Sequence, residues 1–138
     1  MINNFFRDVN KDITGEDIMM LSPLQLAYVG DAVYELLVRT SILRKELKVN
    51  DLHKSAKKYV KAEGQSKIIH FLEPILTEIE KYYVKKGRNT KIHSSPKNAN
   101  LIDYKYATGF ECLLGYLYLT NQDERIGQIF DYIIKLEF

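Results

Sequence analysis

Two acids interrupt the most apolar stretches of this 138-residue chain: Asp31 within LAYVGDAVYELLV (26–38) and Glu111 within YATGFECLLGYLYL (106–119). Both stretches carry helical spacing. On a helix, Asp31 shares a stripe with Ala27, Tyr28, Tyr34, Glu35 and Val38. Glu111 shares one with Tyr104, Ala107, Thr108, Leu114, Gly115 and Tyr118. Neither stripe holds a Lys or Arg, and an ionised acid there is costly unless something cationic meets it. Two readings stand open. The acids are structural, hydrogen-bonded or paired to another helix, or they hold a hard divalent cation, which prefers oxygen ligands. Glu35 is either a further ligand or a surface acid. Glycine inside a helix costs roughly 0.5–1 kcal/mol relative to alanine, so Gly30 implies a close neighbour. Gly109 and Gly115 flank Glu111. The two helices are expected to cross near these glycines and bring Asp31 and Glu111 together.

Other chemistries find less support. His53, His70 and His93 show no metal-ligand spacing with one another or with Cys112, so no zinc site is expected. Cys112, the single cysteine, reads as a small buried hydrophobe and suits a reducing cytoplasm. Net charge is only +2, but it is laid out in blocks. Residues 44–67 carry eight Lys/Arg against three acids, and residues 81–102 carry six Lys/Arg and no acid; the segments around them are each net negative. A basic block free of acids and rich in Gly, Asn and Ser suits phosphate. Lys54, Lys57, Lys58 and Lys61 fall on one helix face at i, i+3, i+4 and i+7. Lys86, Arg88, Lys91 and Lys97 gather in or near the second block, with Asn89 and Asn98 as neutral donors. His53 either touches phosphate or packs at its helix start.

The elements that must position these residues are helices. No strand alternation is convincing, and the length suits one domain over residues 1–138. The pattern predicts an all-α domain of six or seven helices: 12–20, Pro23 to about Lys45 behind Ser22, one capped by Asn50 and stopped or bent at Gly64, its continuation to Pro74, one from Pro74 to Gly87, 100–119, and 123–134. The helices holding Asp31 and Glu111 are apolar on every side and are expected to be central, wrapped by the others. No run suits a membrane span, and MINNFFRDVNKD has no apolar h-region of a secretory signal.

At the two acids the sequence resembles a known family. AYVGDAVYE and TGFECLLGYLYL resemble the ribonuclease III signature, a Gly-Asp helix paired with a Glu-Ala-x-x-Gly helix. More closely, with NDLHK (50–54), KKGRNTK (85–91) and PKN (96–98), the chain resembles the short Mini-III branch, which lacks a double-stranded-RNA-binding domain. The resemblance implies a homodimeric endonuclease that cuts double-stranded RNA with Mg²⁺, leaves 5′-phosphate and 3′-hydroxyl ends, and matures large-subunit (23S) ribosomal RNA precursors, with a large-subunit ribosomal protein as a candidate partner. It assigns Asp31 and Glu111 as the catalytic, metal-holding pair. It points to His53, Lys54, Lys57, Lys86, Arg88, Asn89, Lys91, Lys97 and Asn98 as RNA contacts, and to Gln65 near the site. Where full-length members carry two more acids, this chain has Ala27 and Thr108, a thinner site that Mini-III members share. That thinning keeps in view a non-catalytic RNA-binding ribosome-assembly protein on the same fold.

Overall fold

The structure is a computed structural model that describes residues 5–91 and 100–136. These residues form eight α-helices: α1 (Phe5–Asp8), α2 (Gly15–Met20), α3 (Pro23–Ile42), α4 (Val49–Val60), α5 (Ala62–Leu72), α6 (Glu78–Arg88), α7 (Leu101–Leu119) and α8 (Asp123–Ile134). The all-α expectation holds. The helix beyond the expected seven is the single turn α1.

Local chemistry sets the helix starts. Ser22 and Gln25 exchange capping bonds, Gln25 N–H to Ser22 Oγ at 3.1 Å and Ser22 N–H to Gln25 Oε1 at 2.9 Å, with Pro23 in the first turn. Thr14 with Asp17 and Thr77 with Glu80 repeat the device at α2 and α6. Asn100 Oδ1 accepts from the N–H groups of Ile102 and Asp103 and starts α7.

Several boundaries differ from expectation. α4 begins after Lys48, not at Asn50. Its break falls at Lys61, and Gly64 lies within α5, where a Cβ would meet the Lys58 carbonyl oxygen at 1.9 Å. Gly64 therefore permits the corner rather than making it. Pro74 opens only a 3₁₀ turn (Glu73–Ile75), and α6 waits for the Thr77 cap. Gly87 does not end α6, which runs through Arg88.

α7 is the central helix, packed by α3, α6, α5 and α8. Phe110, Cys112, Leu113 and Leu117 are wholly buried in it. Tyr34 of α3 meets Phe110 edge-on at 4.9 Å between ring centres, and its hydroxyl donates to the Tyr59 carbonyl. Cys112 packs with Leu26 and Tyr83, and burial pushes its thiol up to about 12, so it is an inert core residue. The expectation that α3 is wrapped on all sides fails. Tyr28 and Leu36 are mostly exposed and Leu24 nearly half so; α3 covers α7 with one face and keeps an apolar face open.

Candidate active site and nucleic-acid face

α3 and α7 touch through glycine. A Cβ on Gly30 would stand 1.8 Å from the Glu111 carbonyl oxygen, and one on Gly115 would stand 1.9 Å from that of Leu26. Main chain therefore meets main chain at the crossing, and the residue after Gly30 is set beside Glu111. Gly109 serves a different crossing: its missing Cβ faces the Val84 carbonyl of α6, and a Cβ on Gly87 of α6 would stand 2.7 Å from the Gly109 Cα. The expected glycine crossing of the acid helices is carried by Gly30 and Gly115, without Gly109.

Asp31 and Glu111 open into one groove of about 940 Å³, bounded by α3, α7 and the α4–α5 corner. Asp31 is exposed and Glu111 half-buried. Both acids titrate high. Burial raises Asp31, the Glu35 charge adds to this, and a hydrogen bond from Glu111 opposes it. Burial raises Glu111 to about 8, helped by the Asp31 charge and by that same hydrogen bond. Burial and the neighbouring carboxylate thus favour the protonated form of Glu111 in the absence of a cation. Two acids this close, short of one positive charge, suit a hard cation in place of the proton. No group of three His, Cys, Asp or Glu side chains able to hold a metal occurs among the described residues. A cation here would therefore keep several waters, as Mg²⁺ does.

Around the acids, Ala27 and Thr108 line the same groove, so the two positions lacking an acid are site positions. Thr108 Oγ1 donates to the Tyr104 carbonyl at 2.9 Å. Glu35 is ion-paired with Arg39 at 3.0 Å and lines a neighbouring groove, and its charge helps raise both acids. Gln65 lines the acid groove and is buried. Lys61, expected with the α4 lysines, lines it too, as does Asp103, which the sequence did not single out. The helical spacing groups Lys61 with the α4 lysines. Because α4 stops at Val60, Lys61 instead turns the corner toward the acids. Nothing in its spacing signals this.

The basic residues take two flanks. Lys54, Lys57 and Lys58 are exposed on α4. His53, also exposed, lines with Lys57 and Arg39 a 440 Å³ groove between α3 and α4. On α6, Lys86 is half-buried with its ammonium 5.3 Å from the Tyr82 ring centre. The Arg88 guanidinium stands 5.6 Å from the Tyr106 ring centre, and its Nε donates to Asn89 Oδ1 at 3.3 Å. Asn89 and Lys91 are exposed. Lys97 and Asn98 lie outside the described residues, as does His93.

Comparison with known proteins decides the family. The ribonuclease III domain pattern matches residues 24–122, which include both acids and the groove. The chain belongs to the ribonuclease III family. Within it, the chain is 46% identical over 130 residues to Mini-ribonuclease 3 of Clostridium tetani, covering 93% of this chain and 86% of that one. It is 50% identical over 112 residues to Mini-ribonuclease 3 of Symbiobacterium thermophilum, covering 80% and 86%. A crystal structure of a Fusobacterium nucleatum protein superposes with a TM-score of 0.77 at 33% identity, covering 83% of this chain and 94% of that one. The chain is accordingly an endoribonuclease of Mini-III type, which answers the non-catalytic alternative. Its family acts on double-stranded RNA and generally depends on divalent metal. No helix among the described residues is long and apolar enough to cross a membrane.

Proposed function

We propose that Asp31 and Glu111 hold Mg²⁺ and cut double-stranded RNA in precursors of the large-subunit (23S) ribosomal RNA, leaving 5′-phosphate and 3′-hydroxyl ends. The observation that carries this is the pair itself: two acids from crossing helices at the wall of one open groove, Glu111 pushed up by burial and by the Asp31 charge. When bound, the cation would polarise the scissile phosphate, stabilise charge on the leaving oxygen and lower the pKa of an attacking water. The chain's own work is to hold and orient. Glu111 gives up its proton on loading, so that both acids serve as ligands. Lys61 brings a positive charge into the groove, where a phosphate would lie.

Duplex RNA is gripped by shape, through phosphates and 2′-hydroxyls. Lys54, Lys57 and His53 on one flank, and Lys86, Arg88, Asn89 and Lys91 on the other, supply cations and amide donors for that grip. Lys97 and Asn98 extend the second flank in sequence. We assign them the same role.

A homodimer fits the open face of α3. Ile18, Leu21, Leu24, Tyr28 and Val29 line a second groove of about 780 Å³ beside α1. Leu24 and Tyr28 line both this groove and the acid groove. A second copy seated here would bring its own site to the edge of the first. We assign a large-subunit ribosomal protein as the partner that would present the substrate. The buried thiol of Cys112 suits a cytoplasmic location.

The deciding experiment is a labelled RNA duplex incubated with Mg²⁺. Cleavage is expected in the wild type and should disappear with chelator and in Asp31→Asn. Cleavage that survives both would remove these acids from the reaction.

A further inference from the structure

Gln65 is 3% exposed and lines the acid groove. Its Nε2 donates to the Val60 carbonyl at 2.8 Å, which fixes the amide's orientation across the α4–α5 corner. Its Oε1 is buried and has no hydrogen-bond partner, the one side-chain atom so placed among the described residues. An amide oxygen in such a position wants a donor. Although Lys61, Asn100, Tyr104 and Thr108 line the same groove, none of them reaches Gln65 Oε1 with a hydrogen bond. A donor that enters the groove would supply the missing bond.

Two carboxylates leave most positions around a Mg²⁺-sized cation to water. Those waters donate strongly, and acceptors around them orient the ligand set. We infer that Gln65 Oε1 accepts a hydrogen bond from the hydration shell of the cation held by Asp31 and Glu111, and so acts as a positioning residue for that site. Being neutral, Gln65 does this without adding to the repulsion among Asp31, Glu111 and Glu35. The inference rests on the metal-pair reading of the two acids.

The test is Mn²⁺ titration of the full chain, with the free ion followed by electron paramagnetic resonance. Wild type, Gln65→Met, Gln65→Glu and Asp31→Asn are compared. Gln65→Met keeps the length and removes the acceptor. It should weaken Mn²⁺ binding at least about tenfold; because Met also lacks the donor to the Val60 carbonyl, the thermal midpoint without cation should fall somewhat. Gln65→Glu retains an acceptor, and protonated it can still donate to Val60; it should bind within about threefold of wild type. In the wild type, the Gln65 side-chain ¹³Cδ resonance should shift on adding Mg²⁺. This reading stands even if Gln65→Met fails to fold. Equal Mn²⁺ binding by wild type and Gln65→Met, or a Gln65 resonance unmoved by Mg²⁺ that demonstrably binds, would overturn the inference alone. No binding by wild type, or equal binding by Asp31→Asn, would instead overturn the metal-pair reading.

Discussion

Asp31 and Glu111 face one groove across the α3–α7 crossing, and burial together with the Asp31 charge pushes Glu111 up to about 8. This has a definite sign for stability. Glu111 titrates near 8 in the folded chain, above its ordinary value of 4.5, so the folded state binds the Glu111 proton more tightly than the unfolded state does. The stabilisation is complete below about pH 4.5 and is lost as pH rises through about 8. In chelator, the thermal midpoint of the wild type should fall between pH 5 and 8, and Glu111→Gln should flatten that fall. A wild-type midpoint that rises over the same range, in step with the variant, would contradict the upward push on Glu111.

The same proton must leave when a cation loads. Apparent Mg²⁺ affinity should therefore climb with pH below about 8, by at most about tenfold per unit for one proton released. Calorimetric titration at pH 7 in two buffers of different ionisation enthalpy counts that proton directly. A count near one is expected, and a count of zero would show that Glu111 is already ionised.

Two glycines make opposite predictions. Gly30→Ala drives a methyl into the Glu111 main chain and should cost about 3 kcal/mol. Its residual activity should drop further than its folded fraction does, because the acids move apart. A methyl on Gly127 of α8 would meet nothing within 4 Å. Gly127→Ala should stabilise by about 0.5–1 kcal/mol. Urea unfolding of both variants checks the contrast.

Arg125 clamps Glu80 with two hydrogen bonds, 2.8 and 2.9 Å, and also donates to the Ile75 carbonyl at 2.8 Å. Burial would raise Glu80, yet these bonds and the Thr77 cap hold it below its ordinary value. Arg125→Met leaves that buried carboxylate unpaired and should cost about 3 kcal/mol. Adding Glu80→Gln should recover part of the loss, since the amide keeps the cap without the charge. Denaturation midpoints of the two singles and the double supply the cycle; strict additivity would mean the clamp contributes no coupling.

RNA binding should weaken steeply with salt as counterions are released from phosphate. Neutralising Lys54, Lys57 or Arg88 should lower the slope of log K against log salt by about one each, across duplexes of any sequence. Filter binding of a catalytically silent Asp31→Asn protein gives the slopes. A flat response would remove these residues from the RNA face.

Much of this is legible in the residues alone. Ser22-Pro23 announces the start of α3 because capping and proline geometry are local. Asp31 and Glu111 stand out because an acid in an apolar helix needs a reason. What spacing does not supply is the assignment between partners. A helical glycine reports that something comes close but not what, so Gly109 of α7 reads as a neighbour of α3 when it faces α6. Gly64 draws the break that Lys61 makes, and Lys61 reads onto a helix face it has already left. The open face of α3 escapes because apolar content does not distinguish a wall buried in its own chain from one left uncovered.

The contact of Gly30 with the Glu111 main chain has a consequence for how such a protein drifts over generations. Because peptide groups, not side chains, fix the approach of the helices that carry Asp31 and Glu111, the surrounding core can exchange one aliphatic residue for another without moving the two acids. Tolerance should be broad in the interior and narrow sharply at the glycine contacts, Gly30 and Gly115 first among them, so that the residues with least chemistry of their own are the ones least free to change.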